Sequence, residues 1–299
     1  MTETKRESVT ITGSGKIGGG VYDVIKVMGS ARVSGDVEAN TIRTAGSASF
    51  SGSVDALHIH NAGNLRIAED VSTGSFKSAG SSTVDGDLRA THFSCSGSQR
   101  VGNDLIAGNV RLSGSCNVSN DVEADEFVSK GRFRIGGLLS ADDIRIQLGH
   151  GRGGQCVVSE IGGERIEVRS KGPFWDYDQE KLERKLGKVG HKLEKGLTKM
   201  RGKFGIEIDL GDIDKMVDDI VKVGEKIKVN IESNFEDDYL AMLEVETIEG
   251  DDIYLEYTKA SVVRGKKIAI GPGCEIDHVE YSDSLEIDED AHVVKQDKF

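Results

Sequence analysis

Large, rigid side chains are scarce in this chain of 299 residues, which has two prolines and only 5% aromatic residues. Hydrophobic residues make up 37% of the chain, and the formal net charge is −13. This composition excludes an ordinary globule with a thick apolar core. A regular repeat would still allow order, because each unit of a repeat buries a small apolar face on its neighbours.

Membrane-spanning and secretory segments are also missing from the sequence. No stretch reaches the roughly 18 consecutive apolar residues of a spanning helix, and the start, MTETKRESVT, lacks the apolar core of a signal peptide. The four cysteines form no CxxC pair, which argues against a zinc site or a disulfide framework. We therefore expect a cytoplasmic protein, and its acidic balance argues against nucleic acid as a partner.

Glycine is abundant, with 38 residues, and one set of glycines recurs every 17 residues. If Ile42 is position 0 of a unit, these glycines occupy position 4, and positions 0, 8 and 12 are apolar in seven successive units. The glycines are Gly29, Gly46, Gly63, Gly80, Gly97, Gly114 and Gly131. The residues at position 0 are Ile25, Ile42, Ile59, Phe76, Phe93, Val110, Phe127 and Ile144.

The pattern inside one unit predicts three short strands separated by corners. Positions 0, 2, 6, 8, 12 and 14 are the inward positions and mostly hold apolar or small residues, which is a period of two interrupted twice. We attribute the glycines at position 4, and the Gly or Asn at position 10, to corners with positive φ. Aspartates at position 11, such as Asp36 and Asp70, are interpreted as turn residues rather than as a ladder of cation ligands. The fold class is all-β: a triangular parallel β-helix, or β-solenoid, with 17-residue coils.

The period disappears after the first solenoid and returns near the other end, where Val245, Val262 and Val279 are seventeen residues apart. The predicted organisation is a polar N-terminal tail over residues 1–8, an N-terminal β-solenoid over 9–170, a charged helical insertion over 171–233, C-terminal solenoid coils over 234–295, and a tail over 296–299.

The insertion has the pattern of a basic amphipathic helix. From Lys181 to Lys203 there are nine lysines and arginines against two glutamates, and aromatic residues precede this stretch. Such a segment is typical of attachment to an anionic membrane surface, but it would also suit pairing with the following acidic helix or with a protein partner. A disordered loop is the third alternative. The candidate contact residues are Phe174, Trp175, Leu182, Leu186, Lys188, Lys192, Leu193, Lys195, Leu197 and Lys199.

Two apparent signatures of chemistry do not survive closer reading. Gly13-x-Gly15-x-x-Gly18 matches a dinucleotide fingerprint, but a solenoid coil follows it instead of a helix. The seven histidines assemble no triad, and His58 and His92 occupy outward positions two coils apart. We expect no enzyme activity, no catalytic residue, no cofactor and no metal.

The chain resembles the bactofilins, a bacterial family of polymer-forming cytoskeletal proteins. The likeness lies in the coils VSGDVEA, FSGSVDA and VDGDLRA and in the segment ASVVRGKKIAIGPGCEIDHVEYSDSLEIDEDAHV, and it extends over residues 9–168 and 240–295. It implies a right-handed β-helix that polymerises end to end into non-polar, nucleotide-independent filaments, often at the membrane as a scaffold. The charged N-terminus departs from the apolar, membrane-targeting one of typical members, and the basic insertion is the candidate replacement.

The function expected from this fold is self-assembly, because each end of a solenoid exposes unpaired strand edges. The candidate polymerisation interface consists of Val9 and Ile11 at one end and Leu285, Ile287 and Val293 at the other. The protein itself is then the main partner, and a lipid-binding insertion would place the polymer at the inner face of the cell membrane. The alternatives are a non-polymerising adaptor whose insertion caps an end or binds a partner, and a solenoid transferase.

Overall fold

The computed structural model describes residues 6–149, 155–170 and 241–299, and the regular structure in these ranges is all β-strand. The strands are β1 Glu7–Ile11, β2 Ser14–Val27, β3 Ser30–Thr44, β4 Ser47–Phe50, β5 Val54–Asn61, β6 Asn64–Ile67, β7 Val71–Ser78, β8 Ser81–Val84, β9 Leu88–Cys95, β10 Ser98–Val101, β11 Leu105–Leu112, β12 Ser115–Val118, β13 Val122–Ser129, β14 Arg132–Leu148, β15 Cys156–Ser170, β16 Leu243–Leu255, β17 Thr258–Ile270, β18 Glu275–Ile287 and β19 His292–Lys298. They form a parallel β-solenoid of about 13 turns, which confirms the predicted all-β solenoid. The predicted helical insertion lies outside the described residues.

One column of apolar side chains runs through the entire described solenoid. Its members, joined by parallel strand pairing from coil to coil, are Val9, Ile25, Ile42, Ile59, Phe76, Phe93, Val110, Phe127, Ile144, Ile166, Ile253, Ile268 and Leu285. All except the first and last are buried. At about 4.8 Å per coil, this main core column is roughly 58 Å long. The predicted position 0 is therefore inward in all eight coils from Ile25 to Ile144.

The two stretches predicted as separate solenoids form one ladder. β15 ends at Ser170 and β16 begins at Leu243, yet Cys156 pairs with Leu243 and Val168 pairs with Leu255. Consecutive coils thus lie directly on each other although the insertion separates them along the chain. The insertion interrupts the sequence but not the stacking.

The glycines at position 4 are required by close stacking and not by positive φ. Positive φ among the described glycines occurs only at Gly20, Gly35 and Gly273. A Cβ added at any glycine of the column from Gly29 to Gly131 would instead overlap the carbonyl oxygen of the glycine one coil earlier. The sequence therefore identified the right residues for the wrong reason: at this corner the backbones of successive coils pass too close for any side chain.

The coils change size along the solenoid. Those from β3 to β13 repeat every 17 residues, whereas β16 and β17 pair with an offset of 15. The predicted column of Val245, Val262 and Val279 is therefore wrong. Val245 pairs with Ala260, and Val279 pairs with the buried Val263, while Val262 is only half-buried. Val262 and Val263 are adjacent and equally apolar, so the sequence pattern alone does not show which of them is inward.

The aspartates at position 11 join successive coils. Asp36 Oδ1 accepts a hydrogen bond from the Ser53 backbone N–H at 2.9 Å, and Asp70 Oδ1 accepts one from the Asp87 N–H at 2.8 Å. The bond from Ser53 lowers the pKa of Asp36 below its usual value, because the bond favours the charged carboxylate. These contacts support the turn interpretation over a cation ladder, with the refinement that each carboxylate caps the next coil.

A small group of polar side chains is buried inside the apolar interior. Asn61 Nδ2 donates to Ser78 Oγ at 3.1 Å and to the Ser81 carbonyl oxygen at 2.9 Å. Ser82 Oγ bonds to Ser78 Oγ at 2.9 Å and also to Gln99 Oε1. We call these four side chains, Asn61, Ser78, Ser82 and Gln99, the polar core group. Each is about 2% exposed, so their hydrogen bonds offset the cost of burying them.

Candidate functional site

The C-terminal end of the solenoid is only partly covered by the last strand. β19 pairs with the first half of β18, from Glu275 to Tyr281. The second half of β18, Ser284–Ile287, has the preceding coil as its only strand neighbour among the described residues. Leu285 is half-buried there and Ile287 is 40% exposed. This end therefore presents free backbone N–H and C=O groups together with apolar side chains.

Side-chain contacts reinforce the backbone pairing of β19 with β18. His278 Nε2 and Asp297 Oδ2 lie 2.8 Å apart, and Lys295 pairs with the same carboxylate. These bonds lower the pKa of Asp297, with Lys295 contributing most and His278 next. Val293 is half-buried on the core, while the neighbouring Val294 is 67% exposed and open to contact. The sequence placed Val293 inward in the last predicted coil and residues 296–299 in a tail. It did not predict that a strand continues to Lys298, and it missed Val294.

The N-terminal end is a second free edge. β1 has β2 as its only strand neighbour in the described ranges, and the first half of β2 likewise has nothing described on its outer side. Ile11 is 8% exposed, and Val9 and Ile17 are partly buried against the core. Three apolar side chains thus reach this end, and two of them, Val9 and Ile11, are predicted interface residues.

The apolar residues at the two ends belong to the same columns. The main core column begins at Val9 and ends at Leu285. Coil-to-coil pairing in the same way connects Ile11 to Ile287. It also connects Ile17 to Val293. The five residues predicted as the interface therefore lie at the ends of three columns. Each of these columns has an apolar side chain at both of its ends.

Groups with catalytic reactivity are not collected anywhere in the described residues. The four cysteines are buried, and burial raises the pKa of Cys156 and of Cys274 to about 11, so the reactive thiolate is disfavoured. His92 Nδ1 lies 3.0 Å from Asn109 Oδ1 on the exposed surface. Among the described residues no three His, Cys, Asp or Glu side chains are placed to share a metal ion. Likewise, no helix in these ranges is long and apolar enough to cross a membrane.

The predicted contact residues of the insertion, from Phe174 to Lys199, lie outside the described residues. Gly13, Gly15 and Gly18 surround the start of β2, and β-strand continues to Val27, so the apparent dinucleotide fingerprint has no helix after it.

Comparisons with known proteins give two partial relatives. The chain is 34% identical over 96 residues to the uncharacterized protein YhbF of Bacillus subtilis, which covers 32% of this chain and 38% of that protein. It is 52% identical over 52 residues to the uncharacterized protein YhbE of the same organism, covering 17% of this chain and 22% of the relative. The chain thus spans well under half the length of either relative. No known family and no solved structure matches it.

Proposed function

We propose that this protein is a bactofilin-like structural protein that assembles end to end, through the free edges of its solenoid, into filaments that need no nucleotide. One observation supports the proposal: three inward columns, two of them apolar in every coil, run the length of the solenoid and end in apolar side chains at both ends, beside strand edges with no described partner. Stacking a second copy on such an edge continues the backbone ladder and buries the exposed part of Ile287.

The winding that we infer is three-sided and right-handed. Each 17-residue coil turns three pairs of side chains inward, and in the coil from Ile42 all three pairs, which start at Ile42, Ala48 and Val54, are buried. Three pairs separated by corners support a triangular section. Right-handed winding agrees with the strong preference of parallel strand connections.

The filament would act as a scaffold in the cytoplasm, and the inner face of the cell membrane is its proposed site if the 171–233 insertion binds lipid. Solenoid faces offer long, regular surfaces for partners, which suits a scaffold better than an enzyme. The grooves on these faces are open, such as the one of about 710 Å³ beside Ser47 and Arg66.

The test is a charge placed at one end. Ile287→Lys puts a cation on the free edge, where it is too exposed to disturb the fold but would be buried by a stacked copy. At about 300 mM NaCl, where contacts between surface charges are screened, we expect wild type to form filaments without nucleotide in negative-stain images and in sedimentation, and Ile287→Lys to stop at small species. The matched control is Leu57→Lys, since Leu57 is 59% exposed on the side of the solenoid.

The size of the blocked species reports how the ends meet. A monomer indicates that the C-terminal end contacts the N-terminal end of the next copy. A dimer indicates that like ends meet, as the bactofilin resemblance implies, because the N-terminal contact survives. Filaments of normal length from Ile287→Lys, or their loss from Leu57→Lys alone, would contradict the proposal.

A further inference from the structure

The lysines and arginines of the first eight coils are concentrated on one corner of the solenoid. We define the basic corner as the outward residues at positions 1, 3, 5 and 7, on either side of the position-4 glycines, in the coils that begin at Val9 through Phe127. Residues 9–143 contain twelve lysines and arginines, and eleven of them lie on the basic corner, with Arg89 as the exception. The fifteen aspartates and glutamates of the same range all lie elsewhere.

Two columns carry most of this charge. Position 1 holds Lys26, Arg43, His60 and Lys77 on four successive coils. Position 7 holds Arg32, Arg66, Arg100 and Arg134 on every second coil, with short polar residues between them.

Like charges so arranged repel each other, because neighbouring coils are only about 4.8 Å apart. Lys26, Arg43 and Lys77 are exposed and form no ion pair with any side chain in the described ranges. Arg66 and Arg111 of the corner do pair, with Asp85 and Glu126. Within the described residues the three unpaired cations gain no such contact, which favours an anionic partner for this surface.

An anionic surface of matching period exists on the same molecule. We define the acidic flank as the outward residues at positions 9–13 of the coils that begin at Ile25 through Val110. It holds ten of the fifteen acidic residues, among them the exposed Asp55 and Glu123, against the single cation Arg89. Because the basic corner and the acidic flank belong to the same coils, their charges repeat with the same coil spacing.

We propose that the basic corner is a side-to-side docking surface for a second copy of this chain, which it contacts through that copy's acidic flank. Charge complementarity and equal period favour this occupant. The crest of the corner consists of small residues such as Ala45, Ala62 and Ala79, so another solenoid can approach closely. A surface that inserts into a bilayer carries large apolar side chains, and the corner offers only Met28, at 47% exposed.

The contact joins two different surfaces and is therefore heterologous. One copy can use its basic corner on one neighbour and its acidic flank on another, so side-to-side docking continues into sheets or bundles. The inference does not depend on the proposed end contact, because the two surfaces lie along the sides of the solenoid.

The experiment uses the full chain carrying Ile287→Lys, so that end stacking and side docking are measured separately. In this parent we expect faster-sedimenting species at about 20 mM NaCl that dissociate at about 300 mM NaCl, where charges are screened within a few ångströms. Adding Lys26→Glu, Arg43→Glu and Lys77→Glu should weaken this association at least about tenfold.

The control reverses three cations off the corner, Arg165→Glu, Lys259→Glu and Lys267→Glu, and thus changes the net charge equally. This control should associate as the parent does. A flank variant with Glu38→Lys, Asp55→Lys and Glu123→Lys should also fail to associate alone, and mixing it with the corner variant should restore the complex.

Three results would overturn the proposal. One is low-salt association unchanged in the corner variant, and another is the absence of rescue on mixing. In the third, the parent floats with phosphatidylglycerol vesicles, whereas the corner variant does not float but still self-associates. That result would identify lipid as the partner of the basic corner. Circular dichroism melts that agree with the parent establish that each variant is folded.

Discussion

Replacing one position-4 glycine with alanine should cost far more stability than the loss of a side-chain contact. At Gly97 an added Cβ would overlap the Gly80 carbonyl oxygen and lie 2.5 Å from the Ala79 carbonyl oxygen. Carbon and carbonyl oxygen normally stay about 3.3 Å apart, so the coils must separate by roughly 0.8 Å or more. The bond from Ser98 N–H to Gly80 oxygen, now 3.0 Å, cannot survive such a shift.

The magnitude follows from the groups that move together. Two or three backbone hydrogen bonds at about 1 kcal/mol each and an overpacking cost of about 1–3 kcal/mol give a loss of about 3–5 kcal/mol for Gly97→Ala. Urea unfolding followed by far-ultraviolet circular dichroism measures it. The control is Gly18→Ala, where an added Cβ meets no atom within 4 Å, and we expect a change within about 0.5 kcal/mol. A difference below about 1 kcal/mol between the two variants would refute the close-stacking explanation.

Three other predictions follow from the interior, the insertion and one surface histidine. The four cysteines should react with a thiol reagent near neutral pH only after unfolding, because burial raises the pKa of each thiol; rapid labelling of the native protein would contradict their placement. Deleting residues 171–242 joins Ser170 to Leu243. Since Val168 pairs with Leu255 and Leu243 pairs with Thr258, the two residues after Val168 then form a turn like the two-residue turn between β16 and β17, so the strand signal should persist in circular dichroism. Assembly that appears only in this deletion variant identifies the insertion as a cap, and equal flotation of both chains on anionic vesicles dismisses it as a membrane anchor. Desolvation, and then nearby cations, lower the pKa of His60. The unfolded chain therefore takes up the proton more readily than the folded chain, and the fold loses stability as the pH falls through about 6.5. His60→Asn should lose less thermal stability than wild type between about pH 7 and pH 5.

The inward half of the repeat could be predicted from the sequence because burial leaves few choices there. A residue such as Phe76 is inward in any arrangement that keeps the period, and its ring stacks on Phe93 with centroids 5.6 Å apart. The same logic found the apolar residues at both ends. It failed at Val262, where a shorter coil moves the inward position by one residue and the adjacent Val263 is equally apolar.

The outward half was missed because fold physics does not constrain it. Positions 1 and 7 tolerate many polar residues, so the repeat alone predicts nothing about the charge that they carry. The signal was present in the sequence as a segregation of charge by position, with Lys26 and Arg43 on one side of the corner and Arg32 on the other. The pairing of β15 with β16 had no such signal, since nothing in the sequence states which coils meet across the insertion.

The polar core group has a consequence for how the chain winds. Near-identical turns could be wound one turn out of step while still burying Val, Ile and Phe, because every turn offers similar apolar partners. Such a slipped chain would place Asn61 and Gln99 against new neighbours and leave their amides without partners, at about 1–3 kcal/mol for each unpaired group. We infer that the polar core group makes the correct winding more stable than the slipped ones.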